Sequence, residues 1–498
     1  MFSKYSVARF FSAVVLLGLT LLCLDCGGAG SPPSSSTNNS AEGSNSGSAP
    51  ANNTSSGTGS GATQAPAPPP PPPKTLNTAI NHIVLLMQEN RSFDEYFGQL
   101  NAYRASLGLS QEVDDLSQAG SISLPSWDGS GYISPFKMNT ACVGDLSSSW
   151  VEAHIDISMH SPSNPPNPPP MNGFAYEAGG FAQHDPASGG FDVAGRRAMG
   201  YYDASQLPFY YWAATQFATS DHWFSAAPAR TQINRMYFLA ATSNGYAFPG
   251  GSDGHPELNM DGVKNIFELL EDAGITWRVY ITDNYVSSKS LQSIGDTYMT
   301  YFSGFTGAHL QNFVNATQFA TDAANGTLPQ VALIESGYTE TGQDEHPLNP
   351  IDKGARYAES LVKALINSPS WSDSVMFITY DEGGGFYDHV PPAPAVSPDG
   401  KKPYLLPSDP QGDFTITGFR VPLMVISPYA KANFVSHTPM DFTAFLKFIE
   451  TRFSLPSLNA RDAAQPDMTE FFDWTAPNAN VTNIADQVAL PCYFDHLP

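Results

Sequence analysis

Positive charge is scarce in this chain: 23 Lys and Arg stand against 47 Asp and Glu, a formal net charge of −24 over 498 residues. No run of basic residues occurs anywhere, which excludes a nucleic-acid binder, because phosphate backbones are gripped by Lys and Arg clusters. Cysteine is scarcer still, with four in all. There is no CxxC pair and no Cys/His cluster, so the cysteine pattern offers no structural zinc site. Beyond the first two dozen residues no apolar run is long enough to cross a bilayer, and no internal repeat is present. Disorder of the whole chain is excluded by what it does hold, 12% aromatic and 41% apolar residues, ample for a buried core. Low-complexity sequence must therefore be local.

It lies at the front. Lys4 and Arg9 precede an apolar run over 10–24, the anatomy of an export signal rather than of a transmembrane helix. Cys26, followed by Gly27 and Gly28, stands where a bacterial lipoprotein carries its acylated cysteine, which favours a lipid anchor over a plain cleaved signal. Cys23, Leu24 and Asp25 before it are larger than the small residues usual there. The expected organisation is an export signal over 1–26, a Gly/Ser/Pro-rich leash over 27–73 and one catalytic body over 74–498. The leash would hold that body away from a surface. An extracytoplasmic place follows, either as a cell-surface or periplasmic lipoprotein or as a secreted protein. Only Cys142 and Cys492 remain in the body, and an exported chain could close them into one disulfide.

Within the body, short apolar runs rich in β-branched residues over 82–87, 276–281, 330–335, 374–380 and 421–427 predict strands. Between them, helical patterns cover 208–219, 232–241, 263–273, 354–367 and 439–453. This alternation predicts an α/β fold with a mainly parallel sheet covered by helices on both faces. In such sheets ligands bind beyond the C-terminal strand ends. The first strand runs into Gln88, Glu89 and Asn90; the third ends in Glu335, ahead of Asp344, Glu345 and His346; the fourth runs into Asp381, Glu382 and, further on, His389. Each cluster alone could be a cap or a turn, with Asn90 and Ser92 as caps and Asp381 opening a Gly-rich turn. Three clusters at neighbouring strand ends instead suit one divalent cation, which wants several carboxylate and amide oxygens.

A second feature is the segment Ala227 to Arg235 (APARTQINR), in which Thr231 begins a predicted helix. Its hydroxyl could serve as an N-cap. It could equally face a phosphate, since free N–H groups and the helix dipole favour anions there, and a nearby cation would activate it as a nucleophile.

The run His82 to Gly98 (HIVLLMQENRSFDEYFG) resembles the opening signature of the bacterial phosphoesterase family of phospholipases C and a respiratory-burst-inhibiting acid phosphatase. Met199 to Asp203, Leu207 to Phe209, Pro228 to Arg235 and Tyr380 to Pro391 match in the same order, and later segments near 438–453 and 459–463 agree. The resemblance covers everything after the leash. It implies an alkaline-phosphatase-like three-layer sandwich, with Glu89, Asn90, Thr231, Asp381 and Glu382 as metal ligands and Thr231 as nucleophile. It also implies histidines near the phosphate: His154, His346 and His389, one of them protonating the leaving group. The oxygen-only ligand set fits calcium, magnesium or manganese, with zinc open.

The substrate so implied is a small phosphoester or a phospholipid. Two departures bear on it: Ser148 stands where relatives often have His, and Asn172 replaces an Asp in a Met-Asp-Gly motif. Competing readings are a sulfatase-like or phosphodiesterase relative of the same fold, and a surface-tethered binding protein without activity.

Overall fold

A computed structural model describes residues 74–251, 254–478, 480–495 and 497–498. The expected export signal, Cys26 and the leash lie outside the described residues. Eight strands form the central sheet: β1 His82–Gln88, β2 Ala218–Ser220, β3 Trp277–Ile281, β4 Phe313–Asn315, β5 Val331–Glu335, β6 Ser374–Tyr380, β7 Leu423–Ile426 and β8 Phe434–Ser436. Their spatial order is β8-β2-β7-β6-β1-β5-β3-β4. Only β7 runs against the rest. The residues between β6 and β7 contain no helix, so the chain turns back beside β6 instead of crossing over to a parallel position.

Every residue of β5, β6 and β7 is buried, as is all of β1 after His82. Successive side chains of a strand point to opposite faces, so this burial means that both faces of the sheet are covered. The main covering helices are α1 Trp150–Ile157, α2 Phe174–His184, α3 Pro208–Gln216, α4 Thr231–Ala240, α5 Ile266–Asp272, α6 Gln318–Asn325, α7 Ile351–Ile366 and α8 Thr443–Phe453. α7 packs on α3 and α6, α8 on α4, and α1 on α2. No helix among the described residues is long and apolar enough to cross a membrane.

The predicted α/β architecture with a mainly parallel sheet is therefore present, and the five predicted strands are β1, β3, β5, β6 and β7 with ends shifted by at most two residues. Three predicted helices are too long, that over 263–273 being helix only over Ile266–Asp272, where the Asn265 side chain accepts from Glu268 N. The pattern over 208–219 ends as a helix at Gln216, because 218–220 is taken into the sheet by pairing with β7 and β8. The helix expected from 439 begins at Thr443, where Asp441 Oδ1 accepts the Thr443 N–H. Cys142 and Cys492 are joined as a disulfide, with their Cα atoms 5.0 Å apart. The C-terminal segment beside it is held by backbone bonding as well, Ala141 N donating to Pro491 O at 2.7 Å.

Candidate active site

Strands β6, β1 and β5 are direct neighbours, and their C-terminal ends bring three polar segments together. Register pairs Met87 with Glu335 and Gln88 with Tyr380, so Glu89 and Asp381 emerge side by side. Asn90 then takes a left-handed backbone conformation, φ 49°, which Asn tolerates better than most residues. That turn frees Ser92 to cap the short helix Phe93–Phe97, its Oγ accepting from Glu95 N. The loop after β6 comes so close that a Cβ on Gly384 would stand 2.5 Å from Asn90 O, at a φ of +65°. Glycine is required there on both counts.

The third segment, 344–346, is fixed from below by Glu345, which is buried with φ 73°. Its carboxylate accepts hydroxyls from Tyr96 at 2.6 Å, Tyr380 at 2.8 Å and Tyr210, while its backbone carbonyl takes the Arg91 guanidinium. Such an over-determined clamp can hold a backbone conformation that costs a few kcal/mol in isolation.

Thr231 opens α4 directly above these strand ends. Its N-cap, Arg230, uses no side-chain cap, so Thr231 is not the cap; instead its Oγ1 donates to Asn90 Oδ1 at 3.2 Å. One helical turn on, the buried Arg235 guanidinium sits among three carboxylates: Glu89 at 3.1 Å, Glu335 at 3.5 Å and Asp381 at 3.5 Å. Tyr298 donates to Glu89 Oε1 at 2.7 Å. Glu382 accepts from Ser148 Oγ and, at 2.8 Å, from Gly384 N. Asp344 Oδ1 accepts from His346 N at 3.1 Å and Asn349 Nδ2 at 2.9 Å.

Acids outnumber Arg235 here, and burial makes the excess costly. Burial together with Glu89 pushes Asp381 up to about 7, against the pull of Arg235. The same two causes push Asp344 up to about 8. Glu382 is raised by burial and by Asp381. Burial pulls His346 down, but the carboxylates of Asp145, Glu89 and Asp344 outweigh it and leave the ring raised. Two buried oxygens, Asp381 Oδ1 and Asp344 Oδ2, have no hydrogen-bond partner among the described residues. Buried carboxylate oxygens without a donor fit a cation better than they fit an empty protein interior. The residues present therefore suit a hard divalent ion.

Of the residues singled out in the sequence, Glu89, Asn90, Thr231, Asp381, Glu382 and His346 meet at this one place. His154 is tied to its own helix instead. Its ring lies 4.3 Å from that of Trp150, and Nδ1 bonds the Trp150 carbonyl at 2.7 Å. Burial holds it down to about 4, hence neutral, and no member of the Thr231 group is among its partners. His389 belongs to a separate charged cluster, bonding Asp94 Oδ2 at 2.7 Å and Asp114 Oδ1 at 3.0 Å, with Arg420 on Asp94 and Asp388.

Sequence reading missed Arg235, although it lies four residues after Thr231 and so on the same helix face. It placed Asp344 in a cluster suited to a cation without making it a ligand, and left Ser148 without a role. Arg230 is exposed at the rim, within electrostatic reach of Glu382 and Asp145.

A pH consequence follows at His389. Burial lowers its affinity for a proton, but hydrogen bonds to Asp114 and Asp94 win and raise it from 6.5 to about 10. A raised folded-state value stabilises the fold fully below about pH 6.5 and ceases to do so as pH climbs through about 10. Thermal melts should thus show stability falling between those limits, and His389→Gln should flatten that slope; an unchanged slope would refute the assignment.

The family model for the phosphoesterase family matches residues 80–456. Phospholipase C B of Mycobacterium tuberculosis is 32% identical over 442 residues, which cover 80% of this chain and 79% of that one. The non-hemolytic phospholipase C of Burkholderia pseudomallei is 28% identical over 460 residues, 82% of this chain and 61% of that one. Among solved structures, the phosphonate monoester hydrolase from Silicibacter pomeroyi aligns with a TM-score of 0.31 and 10% identity, over 51% of this chain and 70% of that one. A protein in the alkaline phosphatase superfamily from Vibrio parahaemolyticus gives 0.29 and 12%, over 74% and 78%. At those scores the structural likeness carries no argument.

Proposed function

Since the chain belongs to the phosphoesterase family, we propose that it is a metal-dependent hydrolase of phosphoric esters, of phospholipase C type, with Thr231 as nucleophile. The observation that carries this reading is the Thr231 hydroxyl, set at the start of α4, 3.2 Å from Asn90 Oδ1 and beside Asp381 with its unpartnered oxygen. Glu89, Asn90, Thr231, Asp381 and Glu382 would hold one divalent ion, with Asp344 as a further ligand; once bound, that ion would acidify the hydroxyl and offset charge on the phosphoryl oxygens.

The chain's own groups supply the rest. Thr231 Oγ1 attacks phosphorus, giving its proton to the acidic cluster in which Asp381 lies. The first N–H groups of α4 have no intrahelical partner and receive phosphoryl oxygens, helped by the positive end of the helix. His346, kept protonated more readily than a free imidazole, donates to the departing alkoxide. Water then releases phosphate or phosphoalcohol from Thr231. Arg235 is a positioning residue, fixing Glu89 and Asp381 at the spacing that the cluster needs.

Extracytoplasmic placement is part of the proposal, supported by the export-type N-terminus and by a disulfide, which persists in oxidising compartments. A body this acidic repels anionic lipid surfaces, so zwitterionic head groups and soluble phosphoesters should be cleaved faster than anionic phospholipids. The purified protein should be assayed, with calcium, magnesium, manganese and zinc in turn, on phosphatidylcholine vesicles and on a chromogenic phosphomonoester. Hydrolysis of neither would sink the proposal.

Arg230 offers a sharper test of where the substrate sits. An exposed guanidinium beside the nucleophile can pair with a phosphate oxygen, a charge-assisted contact of about 1.5–3 kcal/mol. Arg230→Ala is expected to raise KM roughly ten- to a hundredfold, with a smaller fall in kcat and partial rescue by Lys. An unchanged KM would place the phosphate elsewhere.

A further inference from the structure

A second group of ligand-type side chains lies beyond the C-terminal ends of two other strands of the same sheet. Strands β2 and β8 run parallel, pairing Ser220 with Ser436, so the residues just past both strands come out together. Asp221 and His222 follow β2, and His437 follows β8; Asp221 N donates to Ser436 O at 3.1 Å. His222 Nδ1 and His437 Nδ1 each stand 2.9 Å from Asp221 Oδ1. All three donor atoms lie within 4.8 Å of one another. The Asp221 carboxylate is fully buried, whereas the His222 side chain is 26% exposed and that of His437 51%.

We propose that Asp221, His222 and His437 form a binding site for a transition-metal ion of the zinc class, separate from the oxygen-lined group at Thr231.

Three features support it. Two imidazoles and one carboxylate make a mixed nitrogen and oxygen set, which suits zinc and its neighbours rather than calcium or magnesium. Donors around a tetrahedral zinc at about 2.0–2.1 Å stand roughly 3.3–3.4 Å apart, so the two Asp221–imidazole distances need open by only a few tenths of an ångström to admit the ion. Asp221 Oδ2 is held by Asp114 N at 2.7 Å and also stands 2.9 Å from His437 Nδ1, so the carboxylate faces the imidazoles in the manner of a ligand steadied from behind. The exposed side at His437 leaves room for water as a fourth ligand.

The neighbouring cluster of Asp94, Asp388 and His389 is the instructive contrast. Its ligand atoms are as close, but the Arg420 guanidinium already bonds Asp94 at 3.0 Å and Asp388 at 2.9 Å, and occupies the place of a cation. At Asp221, Arg420 reaches only the backbone carbonyl, at 2.9 Å, and the side chains that bond the carboxylate among the described residues are the two imidazoles. An ion there would cross-link β2 to β8.

The test uses the full chain, stripped with chelator and titrated with zinc chloride by calorimetry, against His437→Gln and the His222→Gln/His437→Gln double variant. The wild type should take up one zinc more per chain than the double variant. The single variant should bind at that site at least about a hundredfold more weakly, since losing even an outer-shell partner costs ten- to a hundredfold. Cobalt(II) should give the wild type a visible absorption band that the double variant lacks. Equal zinc stoichiometry, or identical cobalt spectra, would overturn the proposal. Circular dichroism checks folding; should the double variant unfold, the exposed single variant decides by the same readings.

Discussion

Thr231→Val is expected to lower kcat/KM by at least about 10⁴-fold, because removing a covalent nucleophile leaves only binding and electrostatic stabilisation. Valine keeps the branched shape at the first position of α4 and deletes only the oxygen, so the fold should survive. The hydroxyl donates to Asn90 Oδ1 at 3.2 Å, and an ordinary neutral bond contributes about 0.5–1.5 kcal/mol. A melting temperature within a few degrees of the wild type should therefore accompany the loss. Thr231→Ser should retain part of the activity. If the valine variant folds and turns over substrate at near-normal rate, Thr231 is not the nucleophile.

Removing the divalent ion should have an effect of similar size on activity, and a separate one on stability. Asp381 and Asp344 are pushed up to about 7 and about 8, chiefly by burial and then by Glu89. That is the mark of buried acids lacking a counter-charge beyond Arg235. An ion that binds only the folded chain stabilises it by about 2.7 kcal/mol at a hundred times its Kd. Chelation should abolish hydrolysis and lower the melting temperature by several degrees, both restored by one added cation. Glu89→Gln and Asp381→Asn should each weaken that rescue. Active protein found free of metal by elemental analysis would refute the requirement.

Much of this site was legible because buried parallel strands are simple to read. HIVLLM, VALIE and SVMFITY are apolar runs that stop abruptly, and the polar residues at each stop are those that meet in space. What the sequence could not convey is what holds them. Arg235 looks like one more charge on a helix until three strands from distant parts of the chain place Glu89, Glu335 and Asp381 around it. The two neighbouring strands Ala218–Ser220 and Phe434–Ser436 are three residues long, too short for any periodicity, so the pairing that joins Asp221 to His437 left no pattern to find. Histidines were the hardest to place. His154, His346 and His389 look alike in sequence, yet their surroundings set one neutral, one raised and one firmly charged. Ser148 illustrates the converse: a departure from the family pattern that keeps a link to the site, through Glu382.

The central position of β1 has a consequence for how the chain is made. It is the first strand to be synthesised, yet its two partners are residues 331–335 and 374–380. Until about two-thirds of the polypeptide exists HIVLLM has neither neighbour, and until about three-quarters it lacks the second, so its open edges can recruit any other unpaired strand. Glu89 and Asn90 cannot meet Asp381 before then either. Even after the sheet closes, Cys142 must await Cys492, 350 residues further on and six from the last. Folding of this protein is thus weighted toward the end of synthesis. Nascent chains stalled before residue 380 should depend on a holding chaperone, and truncations of the C-terminus should be judged by solubility before activity is asked of them.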